Sequence, residues 1–555
     1  MPLPRSPAVR ACDTCRRRKV KCDAAQPCSN CRVSQRCCEY TVARKKRGPK
    51  VPNANGQPEE AVVCSGAGTS VSVATPANDQ VWSEVALSWQ SANMSSPAAS
   101  QDTLYSCRTD RLIWERLLAV VKPVLPDLSV VDAVNNCIDL YMRYTFPTAP
   151  LVHEPSLRTA ASFFFSDTAP TNVFRTDSGG ERVAQLRAFS LVTGLCASIA
   201  SVIPEDLLPH RRFLTVPFLN ASREALAAFE DHDLEHPNSA SLTIRSFHST
   251  AMQQNTGKFG AAWHIHSQAC LLAQHLRLYS EQTVNQHDAL EAHLLRLNFW
   301  QLYASDKAAS AFRTRPFTLH ETLFDEELTL QPYGEQHIFL LDQDRSADNR
   351  LLEERLLVGF HLIRTIWSSA ASLLSALRSY PRSRTEETRS RLGQEYLDFM
   401  GLIDDLPPWL RISKIASPHD DGDVAAAHKP SFWVQRCTVM VTFYCLRLVI
   451  LQQCVDSDAC EVAGFARDQV STLLVKKFEM IQDFIQTLED IPFLYLQVKG
   501  EPNTERIRRV GATLLELIKT RDSEPLEARA RSFLRRLLDI LAKLDSKASD
   551  SLAVI

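Results

Sequence analysis

From about residue 104 onward, apolar side chains return every three or four positions, the spacing that gathers them on one face of a helix. The stretch 110–121 carries Leu112, Ile113, Leu117, Val120 and Val121, and Pro123, which cannot continue a helix, stops it. The same period predicts helices over 134–144, 186–203, 261–276, 288–312, 351–377, 433–453 and 470–488. A last helix is expected over 526–544, with Leu534, Leu537, Leu538, Leu541 and Leu544 on one side. No apolar–polar alternation persists long enough to propose a strand, and no repeat of about 20–50 residues is visible. The body is therefore expected to be all-α. Its roughly 450 residues suggest two packed sub-bundles, because single cores stop growing at about 250–300 residues.

Ahead of the body the pattern vanishes. Residues 51–100 contain no Lys or Arg and only four acids, Glu59, Glu60, Asp79 and Glu84, in a background of Ser, Ala, Gly, Pro and Asn. Such a composition predicts a flexible linker. Trp82, Val85 and Trp89 sit within it at helical spacing, and we read them as an incidental apolar patch in preference to a partner-binding helix. The whole chain, 555 residues with 45% hydrophobic and 23% charged, has ordinary globular usage, which excludes a wholly disordered or fibrous protein. The best apolar run, 191–203, is broken by Gly194 and Ser198 and falls short of the ~18–20 residues that span a bilayer. With no apolar stretch behind the first positive charges, an export signal is not expected, and an intracellular protein is.

Charge and cysteine both concentrate at the N-terminus. Residues 1–50 hold 14 of the 62 Lys and Arg but only Asp13, Asp23 and Glu39 of the 64 acids, a net +11 that leaves −13 on the remainder. A small basic head on an acidic body suggests a polyanionic partner for the head alone. Seven of the 16 cysteines (12, 15, 22, 28, 31, 37 and 38) fall within residues 12–38, which in a chain without an export signal points to metal before disulfides.

The cysteines repeat. Cys12-x2-Cys15-x6-Cys22 and Cys28-x2-Cys31-x6-Cys38 share one spacing, with five residues between them, and the repeat selects Cys38 over Cys37, leaving Cys37 as a spare thiol. Zinc takes four ligands in a tetrahedron, so six thiolates suffice for two Zn(II) ions per chain if two sulfurs are shared. Cys12, Cys15, Cys28 and Cys31 alone would make a single-zinc site and leave Cys22 and Cys38 idle; the repeated spacing favours the binuclear arrangement. Apolar residues are few here, so metal binding is expected to supply most of the folding free energy of the module. Between Cys15 and Cys22, Arg16, Arg17, Arg18, Lys19 and Lys21 make a short cationic helix pinned at both ends. Its side chains suit DNA phosphates and guanine edges in the major groove.

These residues, ACDTCRRRKVKCD, then QPCSNC and the basic RKKRGPK, closely resemble the fungal binuclear zinc cluster transcription factors. The resemblance implies that Cys12 and Cys28 bridge the two metals, that Cys15, Cys22, Cys31 and Cys38 are terminal, and that Lys19, with Arg18 beside it, reads guanine in CGG triplets. Pro27 matches the proline common between the halves. A second resemblance, to the helical middle-homology regulatory domain of such factors, covers 137–157, 257–278 and 295–316, with departures at Arg296-Leu297-Asn298, Asp306-Lys307 and Thr314-Arg315-Pro316. For Trp300, Asp306, Arg315 and His153 a structural role is expected over an effector site.

The expected organisation is a zinc-stabilised DNA-binding module over 10–42, a basic segment and flexible linker over 43–105, and a large all-α regulatory domain over 106–555. Many relatives dimerise through a coil just after the cluster, but residues 39–60 contain Gly48, Pro49, Pro52, Gly56 and Pro58 and no heptad. A monomer on a single triplet is therefore preferred to a homodimer through the helical domain. Arg44, Lys45, Lys46 and Arg47 suit nuclear import or phosphate contact. Sequons at Asn93 and Asn220 carry no weight in a nuclear protein. The reading is a nuclear, sequence-specific regulator of RNA polymerase II genes, an activator, serving a metabolic or secondary-metabolite gene cluster. Its expected partners are CGG-containing double-stranded DNA and the transcription machinery or coactivators, with no membrane. The alternative is a zinc-module adaptor binding protein or RNA without base preference. No phosphate loop, nucleophile elbow or metalloprotease motif is present, and an all-cysteine site leaves no open metal position, so no enzyme is expected.

Overall fold

The computed structural model describes residues 11–17, 22–33, 38–39, 99–125, 129–166, 174, 179–312, 314–321, 324, 330, 338–346, 348–417, 425–466, 469–520 and 524–544. The chain divides into two compact units, Met1–Met94 and Ser95–Ile555. Among the described residues, the first carries two short helices, α1 (Asp13–Arg17) and α2 (Ser29–Val33). Among the described residues there is no strand. The linker patch at Trp82, Val85 and Trp89, and the sequon at Asn93, lie outside the described residues.

The second unit opens with α3 (Ala99–Val121), α4 (Val130–Tyr144), α5 (Glu154–Phe165), α6 (Gly179–Val202), α7 (Arg211–Ala227) and α8 (Glu230–Glu235). It continues through α9 (Ser239–Thr256), α10 (Phe259–His275), α11 (Glu281–Val284), α12 (Ala289–Ala311), α13 (Asn349–Ser379) and α14 (Glu386–Met400). It ends with α15 (Ile412–Ile415), α16 (Lys429–Asp456), α17 (Val470–Asp490), α18 (Phe493–Gln497), α19 (Glu501–Thr520) and α20 (Glu524–Lys543). Every helix expected from periodicity is present. The first begins earlier than expected, at Ala99, because its opening turns, ASQDT, are polar and show no apolar period.

α6 packs between α7 and α9, and α9 passes the stack on to α10, while α13 packs on α12 and α16. The hairpin of α19 and α20 closes on α16 and α17. Where size suggested two sub-bundles, the buried apolar residues form one cluster running from Ile113 to Leu544. Helices α12 and α13 connect its halves.

Three helical segments, Gly179–Val202, Asn349–Arg382 and Ala426–Asp456, reach the length and apolarity of a membrane-crossing helix, which corrects the run-based expectation. Ser, Thr, Gly and Gln interrupt their apolar runs, so reading for unbroken stretches missed them. They lie 72%, 61% and 72% buried within the protein, and their polar positions are used there. Gln435 on α16 donates to the carbonyls of Pro147 and Leu356, each at 2.6 Å. Gly359 on α13 makes that approach possible, since a Cβ there would stand 2.2 Å from the Gln435 amide oxygen.

Buried charges are arranged as anchors. Asp233, fully buried, accepts from Arg245 at 2.7 Å, Arg187 at 2.9 Å and the Ser241 hydroxyl at 2.7 Å, joining α6, α8 and α9. Glu353 at the start of α13 accepts the N–H groups of Leu340 and Leu341 at 2.8 Å, and Glu154 accepts that of Asp342 at 3.0 Å. The segment 338–346 is thus clasped between α5 and α13.

Candidate metal centre and nucleic-acid interface

The N-terminal unit is built twice. Cys12 precedes α1 and Cys15 lies within it; sixteen residues later Cys28 precedes α2 and Cys31 lies within it. In each half, the N–H of the second cysteine donates to the sulfur of the first, Cys15 to Cys12 and Cys31 to Cys28, both at 3.4 Å. The N–H of the first cysteine in turn donates to the sulfur of the third. Cys12 reaches Cys22 at 3.4 Å, and Cys28 reaches Cys38 at 3.2 Å. The C-x2-C turn is thus a helix opening wrapped around its own sulfur, which leaves free backbone donors facing a thiolate.

The halves also close on each other. The Asp23 carboxylate accepts the N–H of Ser29, at 3.1 and 3.2 Å to its two oxygens, and the Ser29 hydroxyl as well. Sixteen positions on, the Glu39 carbonyl accepts the N–H of Asp13 at 2.8 Å. Each helix is therefore started by the residue that follows the last cysteine of the opposite half. The repeat of cysteines was legible in the sequence; this exchange was missed, although Asp13/Ser29 and Asp23/Glu39 keep the same offset. Gln26–Pro27 is a cis peptide, with Pro27 where the sequence reading placed the inter-half proline.

Four sulfurs, those of Cys12, Cys15, Cys28 and Cys31, are fully buried and lie within 4.8 Å of one another. The separations are 3.5 Å for Cys15–Cys28, 3.6 Å for Cys12–Cys31, 3.8 Å for Cys12–Cys28 and 4.0 Å for Cys15–Cys31. Sulfurs held tetrahedrally about 2.3 Å from zinc stand about 3.8 Å apart, so the donor set fits the metal. Cys22 and Cys38, half-buried, pack against these four, and all six cysteines are free of disulfides. The Cys15 N–H holds the Cys12 thiol down at about 6, and the Cys31 N–H likewise lowers Cys28. Burial drives Cys15 up and pushes Cys31 up to about 12.

Of the cationic residues expected to meet DNA, Arg16 and Arg17 occupy the last turn of α1. Arg18, Lys19, Lys21 and the basic run Arg44, Lys45, Lys46 and Arg47 lie outside the described residues, as does Cys37. In the body, the singled-out residues take different places. Asp306, fully buried, accepts the N–H groups of Thr318 and Leu319 at 3.0 and 2.9 Å, and Arg315 stacks over Trp263 at 5.0 Å. His153 opens α5 and meets the Ser156 hydroxyl at 2.7 Å. Each of the three thus has a partner within the body, as a structural role requires. Trp300 is buried on α12, with its indole N–H unpartnered among the described residues.

Residues 10–47 match the fungal Zn(2)-Cys(6) binuclear cluster domain, a module that binds two zinc ions. Over this region the chain is similar to a maltose fermentation regulatory protein, MAL13, of Saccharomyces cerevisiae, 51% identical over 43 residues, or 8% of this chain and 9% of that one. It is also similar to the terrein cluster-specific transcription factor terR of Aspergillus terreus, 34% identical over 73 residues, 12% and 11% of the two chains. Transcription factor PDR1 of Saccharomyces cerevisiae is 40% identical over 50 residues, 9% and 4% of the two chains. The matched region thus spans about a tenth or less of these relatives' own lengths.

Proposed function

We propose that this chain is a nuclear, zinc-dependent, sequence-specific DNA-binding regulator of transcription. In this reading the module of residues 10–42 binds DNA, residues 43–105 link it to the body, and the helical body from residue 106 is regulatory. The observation that carries it is the doubled cysteine frame, in which two equivalent halves share one sulfur cluster but only the first is densely cationic.

Cys12, Cys15, Cys22, Cys28, Cys31 and Cys38 would hold the two zinc ions. Cys12 and Cys28, whose sulfurs stand 3.8 Å apart, are the pair assigned to bridging. Bound zinc supplies rigidity and no open position for chemistry. Arg16, Arg17, Arg18, Lys19 and Lys21 then meet the duplex from one stiff turn. Phosphate contacts supply affinity, and Lys19, with Arg18, supplies preference for guanine in a CGG triplet. Arg44, Lys45, Lys46 and Arg47 add phosphate contacts and serve nuclear import. The maltose and terrein relatives make control of a metabolic or secondary-metabolite gene cluster, as an activator working through coactivators, the preferred role.

The test is competition for binding of the full zinc-loaded chain. CGG-containing duplex should displace labelled cognate DNA far better than scrambled duplex of the same composition. Equal displacement would leave a module that binds nucleic acid or protein without base preference.

A further inference from the structure

The turn that carries the buried Asp233 also carries two imidazoles. His232 lies on α8 and His236 directly follows that helix, one turn on, and both are exposed. The His236 N–H donates to the His232 carbonyl at 2.9 Å, which closes the turn between them. Arg187 donates to the His236 carbonyl at 3.1 Å and to the Asp233 carboxylate at 2.9 Å. Arg245 and the Ser241 hydroxyl hold the same carboxylate at 2.7 Å each. The backbone beneath both imidazoles is thus pinned to α6 and α9.

The two rings stand 4.9 Å apart between centroids, inclined at 60°, and so are not stacked. A metal about 2.0–2.1 Å from an imidazole nitrogen lies about 3 Å from the ring centre. Two rings on one tetrahedral ion therefore stand about 5 Å apart. His232, Glu235 and His236 follow the spacing His-x2-Glu-His, the reverse of the His-Glu-x2-His order that the sequence lacks. Such spacing places both imidazoles and a carboxylate within one turn. Residues 230–236 hold four acids, Glu230, Asp231, Asp233 and Glu235, and no Lys or Arg. Set against the two guanidinium groups that Asp233 engages, Arg187 and Arg245, they leave a net charge of 2 − 4 = −2, which favours a cation.

We propose that His232 and His236 chelate one zinc ion at the surface of the helical body, with Glu235 in the same turn. Imidazole suits zinc, copper and nickel, whereas calcium and magnesium favour oxygen ligands. Catalytic zinc takes three protein ligands, and among the described residues no third His, Cys or acid converges with these two imidazoles. The site is therefore one for binding and not for catalysis. Its ion keeps water at the remaining positions and exchanges readily, unlike metal enclosed by buried thiolates. The pair uses none of the cysteines and stands apart from the DNA-binding reading.

The experiment is equilibrium dialysis of the full zinc-loaded chain against rising free zinc, with bound metal counted. The chain should take up one zinc beyond those it keeps in zinc-free buffer, so the count does not depend on how many the cysteines hold. His232→Ala and His236→Ala should each raise the zinc concentration needed for that ion at least about tenfold, the least expected when a direct ligand is lost. His264→Ala, at an exposed histidine on α10, should leave the uptake unaltered. A wild-type chain that takes up no further zinc overturns the site. So does further zinc that both His232→Ala and His236→Ala bind at the wild-type concentration, or that His264→Ala weakens equally, since either would mean scattered surface histidines.

Discussion

Asp23 and Ser29 are joined across the two halves of the cysteine module, the carboxylate of one accepting both the backbone N–H and the hydroxyl of the other. Ser29 holds the Asp23 carboxyl below its ordinary value through the side-chain bond first and the backbone bond second. Asp23→Ala is therefore expected to speed removal of zinc by a chelator although every sulfur is retained. Metal release at the wild-type rate would remove the capping role.

The count of metal ions separates the shared cluster from a simple four-sulfur site. Elemental analysis of the purified chain should give two zinc ions. Cys22→Ser should lower that number, because Cys22 packs against the buried sulfurs, and Cys37→Ser, at the thiol outside the repeated spacing, should leave it unchanged. A single zinc that survives Cys22→Ser would restore the four-sulfur reading.

Lys19→Ala should cost ~1–3 kcal/mol at the cognate triplet and relax preference there, the usual worth of one good base contact. Binding measured against a panel of single-base variants provides the check. An unchanged order of preference removes Lys19 from the reading role.

Replacing Arg44, Lys45, Lys46 and Arg47 with glutamine should weaken binding to cognate and scrambled duplex alike. It should also flatten the salt dependence by about one unit of slope for each phosphate that is no longer neutralised. A defect confined to cognate DNA contradicts the phosphate role.

Glu353 makes stability depend on pH. Burial raises its carboxyl from 4.5 to about 7, against the lowering effect of the Leu341 and Leu340 N–H groups and with help from the neighbouring Glu354 and Glu154 charges. A raised acid binds its proton more tightly in the folded chain. Its contribution is present in full below the unfolded value and is lost as pH climbs from about 4.5 through 7. The span corresponds to at most about 3 kcal/mol. Melting temperatures across this window should fall less steeply for Glu353→Gln than for the wild type; parallel curves would remove Glu353 as the cause.

The sequence conveyed the fold unevenly, for physical reasons. Helices whose buried faces are predominantly apolar, such as α13 and α16, were apparent from their period. Those built otherwise escaped it: α7 carries Pro217 inside it, α9 buries Ser239, Ser241, Thr243 and Arg245, and α14 and α19 are rich in charge. In the cysteine module, spacing alone revealed the donor set, since metal geometry constrains it directly. The exchange between Asp23 and Ser29 uses common residue types, and nothing but its offset marks it. Trp300 illustrates the remaining gap: its burial followed from pattern, whereas the missing partner of its N–H is a property of three-dimensional surroundings.

Because α1 is begun by Glu39 and α2 by Asp23, neither half of the cysteine module can be complete while the other is undone. Loss of either loop would release both helices together, so partial occupancy across a population means a mixture of intact and collapsed heads. A shortage of zinc in the cell would thus thin the number of competent molecules and leave the affinity of each survivor unchanged.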